Sequence, residues 1–530
     1  MLRSLVGSEM CIRDRNEVRV SLPDDAIGLD PATAIGPVSR QFTYATCLRL
    51  ETYPDAAGAA GRTLVPDGAT GAPAVSTDGR TYTWQIRPGL RFSPPSGAPI
   101  TAATFAASLE RALAPTLGPR AAAGSLVGDV VGVADYTAGR AAHVRGIVAQ
   151  GDRLTITIAR PAGDFRARLA QPFSCVVPPG TPVVRDGVDT PLATGGPYYV
   201  ASTGPGRTVL ERNPAYGGTR PRRPQRIVYQ IGLPTARAAA LLDAGQIDYL
   251  PYDYDTTGAL AQGGAIDGRY GPDSDAARKD AQRYYRTPAP GLDLLVFNTR
   301  RPLFRDRRLR QAVNLALDRR AIAAVWKEPP SDRYVPPAVL DTPNGGAYPV
   351  GAPDLTAARR LAGGSHGTAV LYYCGPPENR RVAQLIRQNL AAIGVAVRIT
   401  PSLDCLLGQD PKLDRADLMM LSPASSIADP APFIEATLGR DAGLGYRLPV
   451  GWFRDAALTA EADQARSLQE PARAAAYAAL QDRLLAAAPV AALGSWTAPE
   501  YVAPRLGCRV FQPALGALDL GAACPARTGG

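Results

Sequence analysis

TAVLYYCGPPENRRVAQLIRQNLAAIGVAVRIT, Thr368–Thr400, reads as a strand, a helix and a second strand. TAVLYYC reads as the first strand of the unit. Gly375 and the two prolines after it stop it, helical spacing follows over Asn379–Ile393, and VAVRIT resumes the extended state. A strand-helix-strand unit of this size favours parallel strands joined by a right-handed crossover, so the expected fold class is α/β with mixed sheets.

The neighbouring segments extend the pattern. TPAPG, Thr287–Gly291, reads as a linker, and LDLLVFNT after it as a strand buried on both faces. One helix is predicted over Asp306–Val325 and another over Pro471–Ala487, with short strands from Val490 onward. Towards the amino end, EVRVSLP from Glu17 is a short strand, and TYTWQIRPGLRF, Thr81–Phe92, alternates Tyr82, Trp84 and Ile86 on one face. Thr101 offers an N-cap to an alanine-rich helix over Ala102–Leu113. Gly146–Ile158 gives two short strands around a Gly-Asp turn. RTVLERN and RIVYQIG form further strands, and a helix spans Thr235–Leu242.

At 530 residues the chain exceeds what one core supports, which implies several lobes. Apolar residues at 45% and charged ones at 20% exclude a disordered chain. Lys and Arg outnumber Asp and Glu by ten, 58 against 48, but the densest run, Arg300–Arg320, interleaves arginines with Leu303, Phe304, Leu309, Val313, Leu315 and Leu317. That spacing makes the arginines the wet face of a helix and argues against a nucleic-acid partner. No apolar stretch is long enough to span a membrane. MLRSLVGSEMCIRDR, residues 1–15, lacks the apolar core of an export signal and resembles translated adapter sequence, so it is read as a non-native leader in place of the true signal.

Apart from Cys11 in that leader, the cysteines are Cys47, Cys175, Cys374, Cys405, Cys508 and Cys524. An even set suggests disulfides in an oxidising compartment; of the fifteen possible pairings, 47 with 175, 374 with 405 and 508 with 524 is preferred. No C-x-x-C occurs and His143 and His366 are the only histidines, so neither a metal nor a cofactor is expected. Gly363-Gly-Ser365-His-Gly367 fits G-x-S-x-G, but here a helix over Thr356–Leu361 precedes the serine and a strand follows, the reverse of a nucleophile elbow. A secreted serine hydrolase is therefore the weaker reading, and no catalytic residue is assigned.

Several segments, in order, resemble family 5 of the bacterial extracellular solute-binding proteins, which includes oligopeptide, dipeptide and nickel receptors of ATP-binding-cassette (ABC) importers. They are LDP (Leu29–Pro31), the block from Asp78 to Leu113, ATGGPYYV (Ala193–Val200), ERNPAYGG (Glu211–Gly218) and GQIDYL (Gly245–Leu250). FNTRRPLFRDRRLRQAVNLALDRRAI (Phe297–Ile322), IGVAVRI and the Arg473–Leu493 helix complete the set. The resemblance implies a two-lobed periplasmic-binding-protein-like fold of class II, of the large cluster with an extra subdomain, whose hinge is crossed twice, near Pro288–Asp293 and Val490–Ser495. Lobe I would comprise 16–48, 176–286 and 494–530, the inserted subdomain 49–175, and lobe II 287–493. The Cys47–Cys175 pair would then staple the base of the insertion.

The same resemblance implies an exported monomer, periplasmic or lipid-anchored outside the membrane, that hands a peptide or peptide-like solute to ABC permease subunits. A non-peptide solute such as an opine, glycan fragment or metal chelate is the alternative. Cleft candidates are Ala32, Thr33, Ala34 and Ile35, then Thr194, Gly195, Gly196 and Tyr198, then Ser425, Ser426 and Asp429. One departure stands out. Where peptide receptors carry A-D-Y-x-[DE]-P, whose acidic residue pairs the ligand amino group, this chain has Ser425-Ser426-Ile427-Ala428-Asp429-Pro430. A hydroxyl cannot neutralise a buried ammonium, so either the ligand lacks a free amino end or Asp429 substitutes.

Overall fold

The computed structural model describes residues 16–23, 27–34, 36–118, 121–251, 265–342, 346–364, 367–375, 377–402, 415–440 and 452–526. A ten-stranded mixed sheet runs through it. Its spatial order is Val395–Pro401, Gly367–Tyr373, Leu418–Leu421, Tyr284–Phe297, Val490–Val502, Tyr249–Leu250, Glu17–Leu22, Arg226–Ile231, Arg207–Arg212 and Tyr198–Gly204. The decisive unit forms as its sequence predicts: Gly367–Tyr373 pairs in parallel with Val395–Pro401, and the helix Glu378–Ala391 turns Val382, Ala383, Ile386 and Leu390 inward. Those side chains meet Phe297, Leu309, Val313 and Leu371 in a single core.

The opposite half of the sheet has its own core of Val18, Val20, Leu22, Leu210, Ile227 and Tyr229. A third core belongs to a separate four-stranded antiparallel sheet containing Thr81–Gln85 and Arg153–Thr157, where Tyr82, Trp84, Leu154 and Ile156 pack on Phe105. Phe105 comes from the helix Ala102–Ala112, whose start is closed by a reciprocal Thr101–Thr104 capping box. Cys47 and Cys175 are bonded, with Cα atoms 5.5 Å apart, where the chain enters and leaves this third body. Cys508 and Cys524 are bonded as well. Cys405 lies outside the described residues, and with it the expected partner of Cys374.

Four expectations are corrected. TPAPG is no linker: it lies within the 14-residue strand Tyr284–Phe297, and Val490 opens a 13-residue strand, the short strands following only from Leu506. These two strands pair antiparallel from Tyr284↔Tyr501 to Val296↔Val490 and belong to both halves of the sheet. Pro288 and Pro290 are tolerated because the register shifts between Pro288 and Leu292.

The predicted single helix over Asp306–Val325 is divided into Arg307–Ala316 and Arg319–Trp326, with Asp306 and Asp318 each capping a start, and a short helix Pro302–Arg305 precedes them. Its arginines are not all on a wet face. Arg310 and Arg319 are buried and cross-link carbonyls: Arg310 reaches Ala487 and Ala488, and Arg319 reaches Asn314, Pro349 and Ala492. Helical spacing marks which way a side chain leaves the axis, but a guanidinium with five donors can turn inward wherever carbonyls need partners.

Helix Leu355–Ala362 precedes strand Gly367–Tyr373, so the order around Ser365 is not that of a nucleophile elbow; Ser365 and His366 themselves lie outside the described residues. Among the described residues no helix is long and apolar enough to cross a membrane.

Candidate functional site

The two long strands set the geometry between the halves. Between the Pro288↔Thr497 and Leu292↔Ser495 pairs the ladder is interrupted, leaving Ala289–Gly291 out of register with Trp496. Gly291 is required there, since a Cβ would fall 2.3 Å from the Trp496 indole. The indole Nε1 donates to Asp293 Oδ2 at 3.1 Å, and Ser422 Oγ donates to Asp293 Oδ1 at 2.5 Å. Burial raises the Asp293 carboxyl above its ordinary pKa, and burial together with Asp293 raises the neighbouring Glu328 carboxyl well above its own. In the sequence, Asp293 was visible as a lone charge inside LDLLVF, a signal passed over.

The segment Pro423–Asp429 docks on this strand. Leu292 N donates to Pro423 O at 3.0 Å, Ser425 N donates to Pro290 O at 2.9 Å, and Gly291 bridges Ala424. Ser425 is buried and its hydroxyl accepts from Ile427 N at 3.0 Å, while Ser426 is half-buried. Ile427 enters the core of the four-stranded body, and Ala428 packs beside Tyr53, Ala170 and Ala514. The segment thus forms a seam between the halves. Asp429 is unavailable to a ligand: its carboxylate takes a bidentate pair from Arg473, with Nη2 at 2.7 Å and Nε at 3.1 Å, and also accepts Ala431 N at 2.8 Å. In this arrangement the Asp429 carboxylate is spent on Arg473.

The other candidates lie in packed turns. Ala32, Thr33 and Ala34 are buried in a turn built on Asp30, which accepts Ala32 N and is held by Arg111 and by Val188 N. Ile35 lies outside the described residues. Thr194 exchanges hydrogen bonds with Ser93, at 3.0 Å through its N and 2.7 Å through its O. Gly195 and Gly196 are buried, and Gly196 lies so close to the chain that a Cβ would fall 2.3 Å from Thr46 O. Tyr198 is fully buried and its hydroxyl donates to Pro224 O at 2.7 Å. The geometry favours close packing for these two segments and brings only Ser425, Ser426 and Asp429 together at the seam.

A small pocket with room of about 20 Å³ is lined by Arg49, Tyr53, Gln171 and Leu515 among others. Sequence reasoning missed it because its residues come from three distant stretches. Among the described residues no group of three or more His, Cys, Asp or Glu is placed to hold a metal ion.

The model of the bacterial extracellular solute-binding proteins, family 5 Middle, matches residues 63–443. No curated protein matches the chain. Among solved structures, a periplasmic murein tripeptide binding protein in its unliganded open form is 20% identical with a TM-score of 0.79, over 97% of this chain and 98% of that one. The clavulanic acid biosynthesis oligopeptide binding protein 2 is 23% identical, with a TM-score of 0.80 over 96% and 95%. A dipeptide binding protein from Pseudoalteromonas in complex with Met-Leu is 17% identical, with a TM-score of 0.68 over 96% and 100%. The fold is the two-lobed one of periplasmic binding proteins.

Proposed function

This chain belongs to family 5 of the bacterial extracellular solute-binding proteins, and from that premise we propose that it captures a peptide or peptide-like solute between its lobes for an ABC importer. Proteins of this family bind solutes outside the cytoplasm and are not enzymes. The observation that carries the reading is the pair of long strands: among the described residues the chain passes between the halves only along Tyr284–Phe297 and Val490–Val502, and their ladder is interrupted at Ala289–Gly291. A two-stranded joint with a local break bends there at low cost, whereas each half keeps a core of its own. We take lobe I as 16–48, 176–286 and 494–530, the subdomain as 49–175 and lobe II as 287–493, a division supported by the three separate cores.

A solute touching both lobes favours the closed arrangement by its differential affinity, and permease subunits would read that state. Ser425 and Ser426 are the proposed lobe II contacts; with Asp429 engaged by Arg473, the ligand amino end gains no carboxylate from this segment. Location in the periplasm or on a lipid anchor belongs to the same proposal, as does a monomeric state. The test is solution X-ray scattering with and without a tripeptide mixture, alongside mass spectrometry of small molecules released from the purified protein. Contraction and released peptides are expected; an unchanged radius with every peptide would remove the reading.

A further inference from the structure

The chain's excess of positive charge is concentrated in one layer of the fold. Of its net +10, +9 falls between residues 300 and 400, where 16 arginines and lysines stand against 7 aspartates and glutamates. The helices of this stretch, Arg307–Ala316, Arg319–Trp326, Leu355–Ala362 and Glu378–Ala391, cover one face of the sheet, since their inward residues and those of the strands beneath form a single core. The last three are tied to one another. Asp318 N donates to Asn389 Oδ1 at 3.1 Å, Trp326 Nε1 donates to Asn379 Oδ1 at 2.8 Å, and Arg359 Nε donates to Ala392 O at 3.0 Å. This trio exposes Arg320, Arg359, Arg360, Arg380, Arg381 and Arg387. Arg380 and Arg387 share a face of their helix about 10 Å apart along its axis, while Val382, Ala383, Ile386 and Leu390 occupy the face turned inward.

Several exposed arginines elsewhere carry their own acids: Arg80 pairs with Asp78, Arg140 with Asp135 and Arg483 with Glu461. Among the described residues none of the six on the trio is salt-bridged. Asp318 and Asp354 turn their carboxylates to Ala321 N and Ala357 N as helix caps, and Glu378 is the other acid on these helices. Guanidinium groups without a partner acid, spread over three helices instead of lining a cleft, are complementary to a broad surface carrying many separate anions, and their planar forks match phosphate oxygens. We propose that this helical layer docks on the anionic phospholipid headgroups of a membrane surface. A bilayer fits it better than a nucleic acid. Trp326, the one aromatic residue of the trio, is half-buried with its N–H on Asn379, so no stacking platform is offered to a base. Proteins of the family also work outside the cytoplasm, beside a membrane. The docking does not depend on which solute is bound.

Co-sedimentation of the full chain with vesicles of phosphatidylcholine alone, and of phosphatidylcholine with about one third phosphatidylglycerol, tests this at about 0.05 M and about 0.5 M salt, between which the screening length falls about threefold. Binding is expected only to the anionic vesicles and only in low salt. Each basic residue at an anionic bilayer strengthens attachment about fivefold, so Arg380→Gln, Arg381→Gln and Arg387→Gln together should weaken it by about a hundredfold. The same change at three exposed arginines elsewhere, Arg153→Gln, Arg207→Gln and Arg237→Gln, should leave it within about threefold. Only exposed side chains are replaced in either variant, so their unfolding midpoints should match that of the parent chain. Equal binding to both vesicle types, including none to either, overturns the proposal, as does binding that persists in high salt or an equal loss in the two triple variants. A chain that binds duplex DNA through Arg380, Arg381 and Arg387 but binds no vesicle also overturns it, and would assign the face to a soluble polyanion.

Discussion

Arg319 and Arg49 are both buried, and burial lowers both guanidinium groups from the usual range to about 10. Arg319, in lobe II, spends its nitrogens on Ala492 O, Asn314 O, Pro349 O and Asn314 Oδ1. Arg49, beside Tyr44, donates to two carbonyls and leaves its buried Nε without a partner. Burial and a depressed pKa therefore do not show that a guanidinium is fully engaged. What separates the two is whether every donor is placed, because an unmade buried hydrogen bond costs more than a made one returns.

Substitutions should separate the two classes by size. Arg319→Gln should cost about 3–5 kcal/mol in denaturant unfolding, since it strips partners from several buried carbonyls at once. Asp429→Asn should cost about 3 kcal/mol by leaving Arg473, 1% exposed, without its countercharge. Arg49→Gln should cost only about 1–2 kcal/mol; a loss as large as that of Arg319 would show that Arg49 is an equal structural strut.

Two buried carboxyls around Tyr249 and Leu518 should also titrate. Burial, and after it the charge of Asp55, raises the Asp519 carboxyl to about 7, and burial raises Glu500 to about 7. The folded state then holds protons that the unfolded chain has released, so stability should fall between about pH 4 and pH 7 and level off above, with a slope of at most about 1.4 kcal/mol per pH unit for each group. Asp519→Asn should flatten its share of the slope in pH-dependent unfolding. Smallest of all, Tyr53→Phe should change stability by less than about 0.5 kcal/mol, because its hydroxyl has no bond to lose.

Where periodicity and capping are local, residue order predicted the fold well. Thr101, the Thr368–Thr400 unit and the Gly146–Ile158 hairpin all form as expected. The errors arise where tertiary partners decide. Pro288 and Pro290 signal a linker in isolation, yet the pairing of Tyr284–Phe297 with Val490–Val502 carries the strand through them. The site was less readable. Ala32–Ala34 and Thr194–Tyr198 have the glycine and small residues of a ligand loop, and the same composition serves turns packed against neighbouring chain. Arg49, Tyr53 and Gln171 carry no motif, and the small pocket they line arises only when the Cys47–Cys175 junction brings them together.

Trp496 gives the hinge an optical gauge. Of the four tryptophans, Trp84 is sealed in the four-stranded body, Trp326 ends a helix and Trp452 packs with Val370 and Met419, all away from the interrupted ladder. The Trp496 indole lies on Gly291 with its N–H on Asp293, so any bend of the strands changes the polarity and hydrogen bonding around a single fluorophore. Its emission, isolated by replacing the other three with phenylalanine, would follow opening and closing in real time without an attached dye.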